Sequence, residues 1–190
     1  DAGGFLAQHQ TMGFVSETEY TFQDDVDATN GFLDELDSRC PEAKKWYIEG
    51  NHELRLHKWC VTQALRNTID AQYLLNLHGC QNVLSLEKRG YQFIHRGKKY
   101  GDCNNHGVLK LGHCYFTHGK TIAKHAAAKI LSQYSYNVVF GHIHRAQSHA
   151  IKTVRDDTIG AWCPGCLCEL QPLWLDTNPT EWTHGYAFQL

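Results

Sequence analysis

"NVVFGHIH", residues 137–144, decides how the rest of the chain is read. An apolar run enters a glycine, and two histidines follow one residue apart, with Arg145 next. The run has the composition of a buried strand. Alternate residues of a strand point to the same side, so a Gly-His-x-His turn at its end can aim both imidazoles at one spot. The question is what else the chain brings to that spot.

Two other stretches have the same form. "KKWYIEG" (44–50) is expected to be a short strand, and "NHELRLHKWCVTQALRN" (51–67) a tight turn passing into a helix, with Leu56, Trp59, Cys60 and Leu65 as its apolar members. "CYFTHGK" (114–120) is expected to be a strand ending in a His-Gly turn. "TIAKHAAAKILSQY" (121–134) is an Ala-rich helix with Ile122, Ile130, Leu131 and Tyr134 for burial. Earlier, Thr21 to Arg39 has helical periodicity. Val26, Leu33 and Leu36 lie near one face with Phe32 beside them, and Cys40-Pro41 ends the helix. A strand is expected at "YQFIHRG" (91–97), and further strands at "AIKTV", "IGAWC" and "YAFQL"; residues 1–20 read as irregular. Strands alternate with helices and then dominate, the pattern of an α/β sandwich in one domain spanning residues 1–190.

Three expected strand ends thus carry Asn51-His52, His118 and His142/His144. In open α/β sheets, ligands bind beyond the carboxyl ends of strands. Imidazole and amide oxygen suit a borderline divalent metal such as Mn, Fe, Zn or Ni. Adjacent glycines let the backbone turn sharply. A lone histidine is more often a surface or satisfied core residue, and His9, His57, His78, His95, His106, His113, His125 and His149 are left there.

These motifs, Gly50-Asn51-His52-Glu53, Thr117-His118-Gly119 and Gly141-His142-Ile143-His144, resemble the last three of the calcineurin-like metallophosphoesterases, in the family's order. The late "GCLCEL" and "WTHGYAF" segments look, more loosely, like those of phage-encoded and bacterial members. The resemblance implies a four-layer α/β/β/α sandwich and a hydrolase of phosphomono- or phosphodiesters, with nucleotides or nucleic acid among its substrate classes. It implies two divalent metal ions, one held by Asn51, His118 and His142 and the other by His144. His52 would not be a ligand; it would face the phosphate and protonate the leaving oxygen. Arg55 and Arg145 flank the motifs in sequence and are candidates for phosphate contact, with solvated arginines as the alternative.

The chain departs from the family upstream, where there is neither Asp-x-His nor Gly-Asp before Asn51. The sequence opens "DAGGFLAQHQ", and the expectation is that the first strand and its ligands precede Asp1, itself a candidate bridging or motif aspartate. Residues 1–190 alone are then expected to be a poor, metal-weak enzyme and a longer form an active one. A catalytically inactive interaction module with this fold is the alternative. A third reading is a mononuclear zinc domain that uses the histidines structurally.

Composition narrows the field further. Net charge is −2 with no long basic block, so nucleic acid would have to be gripped locally. There is no stretch of membrane-spanning length and no signal-peptide pattern, so a cytoplasmic location with reduced thiols is expected. "GKT" (119–121) resembles the end of a phosphate-binding loop, but Cys114 stands where that loop needs its first glycine. "CPGCLC" (163–168) has the spacing of half a zinc site, with His184 the only imidazole after it; plain thiols beside a Pro-Gly turn are the other reading.

Overall fold

Thr21 begins the first described helix, α1 (Phe22–Arg39), with a capping box. Its hydroxyl accepts from the Asp24 amide at 3.3 Å, and the Asp24 carboxylate accepts from the Thr21 amide at 2.7 Å. The computed structural model describes residues 21–101, 103, 105–171 and 179–188. Within these the chain is a mixed α/β protein with helices flanking two β-sheets, and it divides into two compact units, Asp1–Arg96 and Gly97–Leu190. The opening stretch 1–20, including Asp1 and His9, lies outside the described residues.

In the first unit β1 (Lys45–Ile48) pairs in parallel with β2 (Tyr91–Ile94). A parallel pair needs a crossover, and here it is helical: α2 (Asn51–Gln63), α3 (Thr68–His78) and α4 (Cys80–Val83). Asn67 starts α3 by accepting from the amides of Ile69 and Asp70. Val26 and Leu33 of α1 bury with Leu56, Cys80, Leu84, Leu86 and Tyr91. Each fully buried leucine here contributes about 1.5–3 kcal/mol relative to leaving it in water. Asp37 of α1 takes Lys45 at 2.7 Å and Arg89 at 2.9 Å, fixing the helix over the sheet by polar contacts as well.

The second unit holds a five-stranded sheet in the order β3 (Val108–Leu111), β4 (Cys114–Thr117), β5 (Val138–Phe140), β7 (Thr158–Cys163), β6 (Gln147–Lys152). The central three, β4, β5 and β7, are parallel, while β3 and β6 are antiparallel edges. Helix α5 (Ala126–Tyr134) connects β4 to β5. Its Ala126, Ala127, Ile130 and Leu131 pack with Val138, Phe140, Ile143, Ala161 and Cys163.

Several expectations need correction. Leu65 is 90% exposed, because α2 stops at Gln63 and the backbone turns to positive φ at Leu65 and Arg66. Phe32 is 52% exposed and Leu36 is also outside the core; α1 buries the narrower Val26–Leu33 line. Ile122 is 79% exposed because α5 begins only at Ala126. The preceding carbonyls are taken from outside the helix. Arg145 donates to the carbonyls of Ala123 and Lys124, and Gln147 donates to Lys124 while accepting from the Ala127 amide at 2.7 Å. Gln147 so performs the capping that a local Ser or Asp usually supplies. Residues 186–188 are not in a strand.

Candidate metal-binding site

Parallel neighbours β4 and β5 end in step, with Thr117 opposite Phe140. The next residues therefore meet: the Gly141 amide donates to the His118 carbonyl at 3.2 Å. One residue further the side chains meet as well, with His118 Nε2 3.1 Å from His142 Nδ1. Two imidazoles bound to one ion through bonds of about 2.0–2.1 Å, at angles near 90–110°, have nitrogens about 2.9–3.4 Å apart. The pair therefore fits a shared cation, and without an ion the same separation serves an N–H···N hydrogen bond.

The turn that achieves this is strained. His142 and His144 both have positive φ, 76° and 57°. Such backbone costs about 1–3 kcal/mol per non-glycine residue and persists only where surroundings hold it. Here Ile143, buried between them, anchors the turn in the core of the second unit. Gly119 sits at φ 85° beside Phe140 and Gly141, so the turn after His118 is also one that glycine alone adopts easily.

The two histidines of "GHIH" lie beside different groups. His142 reaches His118, whereas His144 joins Cys166 and Cys168, their ligand atoms all within 4.8 Å of one another. Among the described residues this is a cluster able to coordinate one metal ion. His144 Nδ1 is 4.0 Å from Cys168 Sγ, and Trp182 packs edge-on against its ring with centroids 4.2 Å apart. Burial holds the His144 imidazole below the usual histidine value. Burial and the neighbouring Cys166 thiol push Cys168 up to about 12.

β7 delivers the cysteines. It is the third parallel strand, in register with β5, so Cys163 lies at the same sheet edge and "PGCLC" follows. Residues of the "WTHGY" segment then bind the two turns together. Thr183 donates its amide to the His144 carbonyl at 2.9 Å and accepts from the Cys166 amide at 2.9 Å; its hydroxyl accepts from the Ala146 amide at 2.7 Å. Gly165 has φ 115°, and a Cβ there would run into the Thr183 carbonyl. Gly165→Ala is therefore expected to cost at least about 1–3 kcal/mol, read as a lowered unfolding midpoint in urea.

His184, the only imidazole after "CPGCLC", is outside the cluster and donates Nε2–H to the Cys168 carbonyl at 2.8 Å. A histidine from a different turn takes its place, and neither spacing nor composition announces that grouping. All eight cysteines are free thiols.

Of the other candidates, Asn51, His52 and Arg55 lie in the first unit. Gly50 is the N-cap of α2, so Asn51 and His52 occupy its first turn, directly after β1. Asn51 is half-buried, and His52 is 8% exposed. Two buried acids flank them: Glu53 accepts from the Tyr47 hydroxyl at 2.9 Å, and Glu49 from the Arg96 amide at 2.7 Å. Burial raises the Glu49 carboxyl above its ordinary value. Arg55 is half-buried in the same helix. Arg145 is engaged within the second unit, with Glu181 at 3.0 Å and the carbonyls before α5.

No described helix is long and apolar enough to cross a membrane. No family model, curated protein or solved structure matches the chain.

Proposed function

We propose that this chain is a metal-dependent phosphoesterase of the calcineurin-like type, acting on phosphomono- or phosphodiesters, with the corresponding four-layer α/β/β/α sandwich as its complete architecture. The observation that carries the reading is the meeting of His118 and His142 at the carboxyl ends of two in-register parallel strands, 3.1 Å apart. That placement follows the rule for ligand sites in α/β sheets. Positive φ at His142 adds to it, because strain of this kind clusters at functional sites.

The roles follow from the resemblance. His118 and His142 would hold one divalent ion; the resemblance gives Asn51 as a further ligand and assigns His144 to a second ion. Neutral ligands would leave the positive charge of such ions intact, and the chemistry a two-metal centre would supply is neutralisation of phosphate charge and activation of water. His52 holds the proton that the leaving oxygen receives, since imidazole is matched to that transfer near neutral pH. Arg55 and Arg145 are candidate phosphate contacts, and nucleotides or nucleic acid are candidate substrates, in the cytoplasm. Mn, Fe, Zn and Ni all suit the His/Asn donors.

Turnover of bis(4-nitrophenyl) phosphate with added Mn²⁺ tests the reading. Turnover by the 190-residue chain that rises with added Mn²⁺ supports it. No metal-dependent turnover would favour the non-catalytic module.

A further inference from the structure

We infer that His144, Cys166 and Cys168 form a zinc site of their own, distinct in donor chemistry from the His118–His142 pair. The inference stands without the phosphoesterase reading. It changes that reading in one respect, by committing His144 to a thiolate site.

The donors come from two turns that follow parallel neighbours β5 and β7, so their proximity is built into the sheet. Thr183 holds both turns by backbone hydrogen bonds, to His144 and to Cys166. Trp182 fixes the His144 ring from the side. In a filled tetrahedral site, thiolate sulfurs at about 2.3 Å and an imidazole nitrogen at about 2.0–2.1 Å lie about 3.5–3.8 Å apart. Cys168 and His144 are already at 4.0 Å, and no pair in the cluster exceeds 4.8 Å. Side-chain rotation covers the difference without moving a strand.

Donor type selects the metal. Two thiolates and one imidazole favour zinc over Mn²⁺ or Mg²⁺, which prefer oxygen. Binding deprotonates the thiols and releases their protons to solvent. Three protein donors leave the fourth tetrahedral position to a solvent molecule, the pattern of an open rather than a closed zinc site.

Co²⁺ reports thiolate ligation directly. Titrating the metal-free 190-residue chain in degassed buffer should give, at the first equivalent, an intense near-ultraviolet thiolate-to-cobalt band with tetrahedral d–d bands, and Zn²⁺ should displace both. Cys166→Ser and Cys168→Ser should each weaken the charge-transfer band at least by half. Cys40→Ser, a change at an exposed thiol remote in sequence, should leave it intact. His118→Ala should also retain it, which separates this site from the proposed hydrolytic one. A band shown by a chain without metal-dependent turnover supports the zinc site independently of the phosphoesterase reading. Cobalt binding by the wild-type chain without a charge-transfer band overturns the inference whatever the variants do. A band insensitive to both Cys166→Ser and Cys168→Ser overturns it as well.

Discussion

His142→Ala is expected to abolish Mn²⁺-dependent phosphodiester hydrolysis and to weaken metal binding in the same protein. Partners that only orient a metal ligand typically contribute 10–100-fold in affinity or activity, so loss of the ligand itself should exceed about 10²-fold. His118→Ala should match it, because the two rings meet at 3.1 Å and the proposal gives them one ion. The double variant should then be little worse than either single one, as for residues acting as a unit. His149→Ala, on exposed edge strand β6, is the control and should change neither quantity. The measurement is Mn²⁺ affinity by calorimetry beside turnover. Full activity in His142→Ala would remove the observation on which the functional proposal rests.

His52→Ala should separate the two quantities. A positioned general acid contributes about 10²–10⁴-fold where the leaving group needs a proton. Loss of that size is expected on an alkyl phosphodiester. A nitrophenyl ester departs without protonation and should be far less affected, and metal affinity should stay near that of the unsubstituted chain. The ratio of the two rates is the diagnostic, because misfolding would lower both together. Burial of His52 makes that control necessary: at 8% exposure, truncation also leaves a small cavity in the first unit. Equal loss on both esters would assign His52 to packing at the start of α2 rather than to proton transfer.

Much of the arrangement is legible in local sequence because it is local physics. Thr21 and Asp24 announce the start of α1 through a reciprocal cap, and Pro41 bars its continuation. "YFT" and "VVF" have strand composition, and the glycines after them mark sharp turns, so the histidines at those turns stand out as candidates. Burial within helices is less readable. Leu36, Leu65 and Ile122 satisfy the helical pattern, yet each is exposed, because a helix buries only the stripe its neighbours cover and both α2 and α5 are shorter than the pattern suggests. The shortening of α5 depends on Arg145 and Gln147, more than twenty residues along the chain, taking the carbonyls that would have begun it.

The sequence by itself determined which residues could bind a metal and that they stand at strand ends, since residue type and turn chemistry are written locally. Only the tertiary structure decided which of them stand together. "GHIH" presents two equivalent histidines. Parallel register brings β4 against one side of β5 and β7 against the other, and so gives His142 a histidine and His144 a pair of thiols. Cys166 and Cys168 follow His144 by more than twenty residues, and spacing that suits zinc says nothing about which imidazole arrives from elsewhere. That choice is made by strand order, a property of non-local hydrogen bonding rather than of any short stretch of chain.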